Sequence, residues 1–512
     1  MGLRLPGDNS DNINLPLSSS PGRIGLEIGD ARNLSIVLKE SSIRRWHRSL
    51  AVSFLTLLLS AGVSRISAAQ VPSLPQNGSK AYQRGLAAVE KGDLGEAHKA
   101  FIQAVKLSPR NAEMQNALAQ VLLEQGDFDS AIIHFRIVTK LKPNLAAGHS
   151  YLAQALAAKG NLEDAVAENR VAVRLAPQQP EAHRALAKSL SQHRMTDEAI
   201  AEMKAAVELA PSRPDLHDEL GSLMAQKQDF ASAESEFQAA LKINPEYELA
   251  EFHLGVALLG KGDTNGARKS LERAARLNPK DAGARYYLGT ALEAQGETAG
   301  AVEAYQRAIE MQPNSPTFQT RLGLLLQRSG DPVGAAAVFS KVVALTPDDP
   351  EAHNNLGMAL MQGGEGDASV REFQAALKLR PGDTGIQGNL GVAYLEKSEF
   401  DGAVRELTEA LKSSPEDAHL HYDLALALKL KDDLPGAVAQ LKEAVRIDPK
   451  LVDAYYTLGV TLWQQGNFPE ASEELKRAIA LKPDYAEAYY TLGTVLKQMN
   501  KLPEAADALR EA

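Results

Sequence analysis

The sequence predicts an all-α protein, an α-solenoid built from stacked helix hairpins, and three observations predict it. Prolines stand at 109, 143, 177, 211, 245, 279, 313, 347, 381, 415, 449 and 483, every interval being 34 residues. Leucines, small residues and bulky apolar residues recur at fixed offsets from those prolines, at the three- and four-residue steps of a helix. Aromatic residues are only 5% of the chain while alanine is abundant, which suits helices packed closely through small side chains.

With each proline at position 32, the units start at 78, 112, 146, 180, 214, 248, 282, 316, 350, 384, 418, 452 and 486, and the array covers 78–512. The first helix of a unit carries Leu at position 7, with Arg84 in its place in the first unit, and Gly or Ala at position 8. A Gly at position 15 (Gly92, Gly126, Gly160, Gly262, Gly296, Gly330, Gly364, Gly466) is expected to end that helix in the left-handed region. The second helix carries Ala at position 20, replaced once by Ser369, and a large apolar residue at position 24, replaced once by Asn169. It stops before the proline, which has no N–H to donate within a helix. No hairpin buries its apolar face alone, so each must stack on the next.

The first 77 residues read differently. Residues 1–43 show no helical or strand period and are expected to be a disordered leader, with translation starting downstream near Val37 or Leu38. Arg44, Arg45 and Arg48 precede the apolar run Leu50–Val63, and small residues at Ser67 and Ala69 follow. These are the parts of a secretory signal over 44–69, cleaved after Ala69. The alternative is a membrane anchor by residues 50–63, although a bilayer span takes about 20 residues. Residues 70–77 read as a linker. The expected localisation is therefore exported, periplasmic or extracellular, with contact to a membrane only if the 50–63 segment stays uncleaved.

Charge and composition exclude several classes. Residues 70–512 hold 47 basic and 60 acidic side chains, a net of −13, which argues against a nucleic-acid partner. The absence of cysteine excludes disulfides, thiolate metal sites and cysteine nucleophiles. The segment Gly255–Lys261 imitates the start of a phosphate-binding loop, but Gly262 stands where Ser or Thr is needed. His149, His183, His217, His353 and His421 all occupy position 4, spread one per unit, and are read as core packing rather than metal ligands. No cofactor and no catalytic constellation is expected, and the chain is read as not an enzyme.

Leu-Gly at positions 7–8, Ala at 20, a large apolar residue at 24, Ala at 27 and Pro at 32 resemble the tetratricopeptide (TPR) repeat. The resemblance covers twelve full units and a truncated thirteenth. It implies a right-handed superhelix whose first helices line a concave groove that holds peptides or protein segments. Two specialised subtypes fit poorly. The Lys at position 5 and Asn at position 9 of carboxylate clamps are absent, and of the asparagine ladder of glycosyltransferase TPR arms only Asn355 and Asn389 remain at position 6.

In this family position 5 faces the groove, where Tyr422, Tyr456 and Tyr490 form a row 34 residues apart with Trp463 nearby at position 12. With Asn355 and Asn389 they are the candidate peptide-binding residues. Ser79 is expected to cap the first helix. The last unit stops at position 27 without an added polar helix, which leaves a homo-oligomer through that uncapped C-terminal end as an open alternative. The reading is a non-catalytic protein–protein interaction scaffold in the assembly or organisation of a cell-envelope or exported complex. Its alternatives are a regulatory or substrate-recruiting arm of a separate enzyme such as a glycosyltransferase, and a homotypic structural scaffold.

Overall fold

The structure is a computed structural model that describes residues 76–512. The leader, the signal or anchor segment and most of the linker lie outside the described residues. Among the described residues there are 26 α-helices, α1 (Gln76–Glu90), α2 (Leu94–Leu107) and so on to α26 (Leu502–Glu511), and no strand. Odd-numbered helices are the first helices of the hairpins. From the second unit onward each begins at the first position of its 34-residue unit, at Ala112, Ala146, Pro180 and onward to Ala486. The first is the exception: α1 begins at Gln76, so Ser79 lies inside the helix and does not cap it.

The turn between the two helices shows why the period is so regular. At Gly126 (φ 80°) the chain enters the left-handed region. Gly126 N–H then donates to Leu123 O (3.1 Å) and Asp127 N–H to Leu122 O (2.9 Å), the paired bonds of a Schellman stop. Asp127 next accepts from Ser130 N–H (3.1 Å), so one residue closes the first helix and caps the second. The Ser130 side chain, and after it this N–H, holds the Asp127 carboxyl below the usual carboxylate range. Where position 15 is not Gly, the backbone does the same thing: Arg194, Gln228, Ser398, Asp432 and Asn500 all have φ between 58° and 66°. Those five side chains carry a left-handed cost of about 1–2 kcal/mol each.

Position 8 meets position 24 of the same hairpin. A Cβ built on Gly221 would lie 2.7 Å from Phe237, and one on Gly323 would lie 2.7 Å from Phe339. The missing methyl is therefore what lets the second helix seat its ring against the first. Asn169, the polar exception at position 24, is buried and donates to Ala185 O (3.1 Å) and Ser189 Oγ (2.8 Å).

The described residues form two compact units, 76–304 and 305–512, each described by itself. In the first, one core runs through Phe101, Leu118, Phe135 and Leu152, and another through Leu186, Leu220, Phe237, Leu254 and Leu271. In the second, Phe339 and Leu356 lead one core, and Phe373, Leu390, Leu407, Leu424, Leu441, Leu458, Leu475 and Leu492 thread the other. Within each unit every hairpin packs on its chain neighbours, the topology of an α-solenoid.

Candidate functional site

The recurrent histidines at position 4 are not core packing, which corrects the reading from spacing. His149 places Nδ1 2.6 Å from Glu168 Oε2 and Nε2 2.9 Å from the Pro143 carbonyl. His183, His217 and His353 repeat this with Glu202, Glu236 and Glu372 and with the carbonyls of Pro177, Pro211 and Pro347. His421 uses Gln440 and Pro415. The proline that stops one hairpin thus leaves a carbonyl that the next hairpin captures. Gln115 and Gln319 do the same at position 4, donating to Pro109 O and Pro313 O. The five histidines are clips between hairpins, each with both ring nitrogens engaged by its own pair of partners.

A second register governs the face that was expected to bind. Position 5 of one unit meets position 6 of the next. Arg184 donates to Glu219 (Nε–Oε2 2.9 Å), Asp218 pairs with His253 (2.8 Å), and Asn389 donates to Asn354 (3.0 Å). The rings of Phe252 and Tyr287 meet edge-on with centroids 5.8 Å apart. Tyr422 and Tyr456 stand in the same register, with Thr457 and Thr491 beside their hydroxyls. They are 2% and 4% exposed, and the Tyr456 ring also packs on Tyr485 at 4.9 Å. Burial pushes the Tyr422 hydroxyl up to about 12 and raises those of Tyr456 and Tyr485.

Tyr490 differs from them, with 63% exposure. The row of tyrosines therefore does not present three open faces. Two rings are closed off by the first helix of the following hairpin, and Tyr490 alone is open. Trp463 is half-buried, packed beside the core, and Asn355 and Asn389 are half-exposed. Asn389 is joined to Asn354 of the preceding unit rather than to Asn355.

Positions 5, 9 and 12 share one helix face. On that face of the first unit, burial pushes Lys188 down to about 8, with Arg184 adding to the effect and Glu219 opposing it. In the second unit burial also lowers Lys429, and it pushes the Asp423 carboxyl up to about 7, with Asp417 adding to the rise. Asn354 and Asp423 carry no signal at the level of spacing. The one sign in the sequence is Gly388, which interrupts the side chains at position 5.

The remaining candidates find structural reasons. Gly255–Lys261 lies in a helix (Glu248–Lys261), where Gly255 faces Leu271 and Gly260 faces Phe230. Among the described residues no group of three or more His, Asp or Glu side chains is placed to hold a metal ion, and no helix is long and apolar enough to cross a membrane. On the last hairpin Tyr490, Leu502 and Leu509 are exposed.

Comparison with known proteins follows the same division between fold and site. A family model described as tetratricopeptide repeat matches residues 82–146, 135–180, 184–248, 252–316 and 320–384, and one described as TPR repeat matches 430–466 and 464–500. Similar solved structures include the APC/C hetero-tetramer Cut9-Hcn1, at 14% identity and a TM-score of 0.39, covering 82% of this chain and 96% of that one. Yeast Tom70 is similar at 19% identity and a TM-score of 0.35, covering 78% and 91%. YrrB, described as a TPR protein with an unusual peptide-binding site, is similar at 24% identity and a TM-score of 0.34, covering 38% and 97%. No curated protein matches the chain.

Proposed function

The chain belongs to the tetratricopeptide repeat family, and from that premise we propose that it is a non-catalytic scaffold that holds a peptide or protein segment against its first-helix face. One observation carries the reading: in the second unit that face offers polar and aromatic side chains, Asn355, Asn389, Trp463 and Tyr490, that the hairpin stack leaves partly or wholly open. An extended segment suits a surface that repeats its side-chain positions from hairpin to hairpin.

The scaffold is proposed to act after export, directed by Arg44–Arg48 and the Leu50–Val63 run, in a cell-envelope or secreted assembly. N-terminal sequencing of the mature protein tests the export step, with Gln70 expected as the first residue.

The test of binding uses the full chain and a random 12-residue peptide display library. Peptides enriched on the wild-type chain should lose at least about ten-fold in affinity for Trp463→Ala/Tyr490→Ala, a loss of about 1.4 kcal/mol, while helicity by circular dichroism is unchanged. Enriched peptides that bind the double variant equally well would place the binding elsewhere. A chain that works as the recruiting arm of a separate enzyme would show the same peptide binding, and would in addition raise that enzyme's kcat/KM for substrates carrying the peptide.

A further inference from the structure

One position-24 side chain of the first unit joins no core. Phe101, Phe135, Met203, Phe237 and Leu271 hold this position in their hairpins, at most 2% exposed, and each is part of a core. Asn169 is just as buried and belongs to neither. The two long cores of the first unit change over at this hairpin. One runs from Ala88 through Leu152 and Leu156 to Ala165, and the other starts at Val166, with Val173 packed beside it, and goes on through Leu186. The change falls inside a hairpin, between the helix Ala146–Lys159 and the helix Leu162–Leu175, rather than between two repeats.

The polar contacts of the second helix take the same side as Val166. Asn169 Nδ2 donates to Ala185 O (3.1 Å) and Ser189 Oγ (2.8 Å), both on the helix Pro180–Gln192 of the next hairpin. Arg170 pairs with Glu198 of that hairpin at 2.8 Å. Asn169 Oδ1 is buried and, among the described residues, has no hydrogen-bond partner. Ala153, at position 8 of its own hairpin, has no side-chain donor to give it. The turn between the two helices is less tied as well: Asn161 makes no side-chain cap bond, whereas Asp93, Asp127, Asp229 and Asp263 each accept one. On the first-helix face the forward pair would be Ser150 with Ala185, and Ala185 has only a methyl to offer. Parting an ordinary hairpin exposes a ring or an aliphatic chain to water. Parting this one exposes a carboxamide oxygen, which gains a donor from water.

We propose that the first unit is hinged inside its third hairpin. Residues 76–159 move as one block and residues 162–304 as another, while Gly160 (φ 93°) and Asn161 absorb the turn. The helix Leu162–Leu175 travels with the hairpin that follows it, held by Asn169 and Val166. The first-helix face then changes pitch between Ser150 and Ala185, whatever that face binds.

The test is double electron–electron resonance on the full chain, which has no cysteine of its own to compete for the spin label. Lys99, Ala167 and Ser235 are exposed and all occupy position 22, each two hairpins from the next. The pair Lys99→Cys/Ala167→Cys spans the hinge, and the pair Ala167→Cys/Ser235→Cys lies within the second block. Because Ala167 is common to both, label freedom there cancels. The distance distribution of the first pair should be at least about twice as broad as that of the second. Asn169→Met, which copies beside Ala153 the Met203 and Ala187 of the following hairpin, should narrow the first distribution to the width of the second. Equal widths without that substitution overturn the hinge. A broader second pair overturns it too, since the chain would then part between hairpins. A first distribution that Asn169→Met leaves unchanged overturns the assignment to Asn169. If Asn169→Met does not fold, the comparison of the two pairs decides alone.

Discussion

At the scale of single residues, Asp423 is the most consequential side chain, and its buried carboxyl makes a stability prediction independent of any ligand. Its native pKa, pushed up to about 7 by burial with Asp417 adding, lies above the ordinary value of 3.8. For an acid shifted upward, the folded state holds the proton more tightly than the unfolded chain. The penalty is therefore absent below pH 4, grows as pH rises from about 4 to 7, and is complete above 7. Asp423→Asn should stabilise the second unit by about 2–4 kcal/mol at pH 8 and by nothing measurable at pH 4. Urea melts at the two pH values check this; an equal effect at both would mean that the charge is not the cost. The residue identity was plain in the sequence. Its burial was not, because position 6 is occupied by anything from Gln83 to Thr491 and only the partner across the stack decides whether a given side chain is satisfied.

At the scale of helices and hairpins, the recurring devices are joints. A left-handed residue at position 15 with an Asp after it turns the chain, a position-4 His or Gln captures the preceding proline carbonyl, and position 5 bonds forward to position 6. Tyr422 and Tyr456 belong to these joints. Tyr422→Ala should cost about 3–5 kcal/mol, as for other large buried side chains, whereas Tyr422→Phe, which keeps the buried ring, should cost at most about 1.5 kcal/mol. Thermal melts of the two variants distinguish packing from a surface role, since a groove residue would show neither loss. The period of the tyrosines was legible. That a following first helix covers Tyr422 and Tyr456 depends on what the next hairpin brings to position 6.

At the scale of the whole molecule, each unit is a series of neighbour contacts, so damage should stay local. Leu254, buried at position 7 in the first unit, is the probe. Leu254→Ala should cost about 2–5 kcal/mol, and amide hydrogen exchange should quicken over residues 214–287 while residues 112–145 keep their wild-type protection. Exchange that quickens uniformly through the first unit would instead mean one cooperative core.

The sequence by itself determined the period, the stops before each proline and the small–large pairing of positions 8 and 24. All of these are short-range consequences of proline, glycine and helical spacing, and they recur through most of the units. The tertiary structure decided the contents of the joints: which histidine is a clip, which tyrosine is closed off, and which carboxylate is buried. The physical reason is that these depend on pairs from 6 to 35 residues apart, chosen independently in each unit. A repeat pattern states where a side chain stands but not what stands against it.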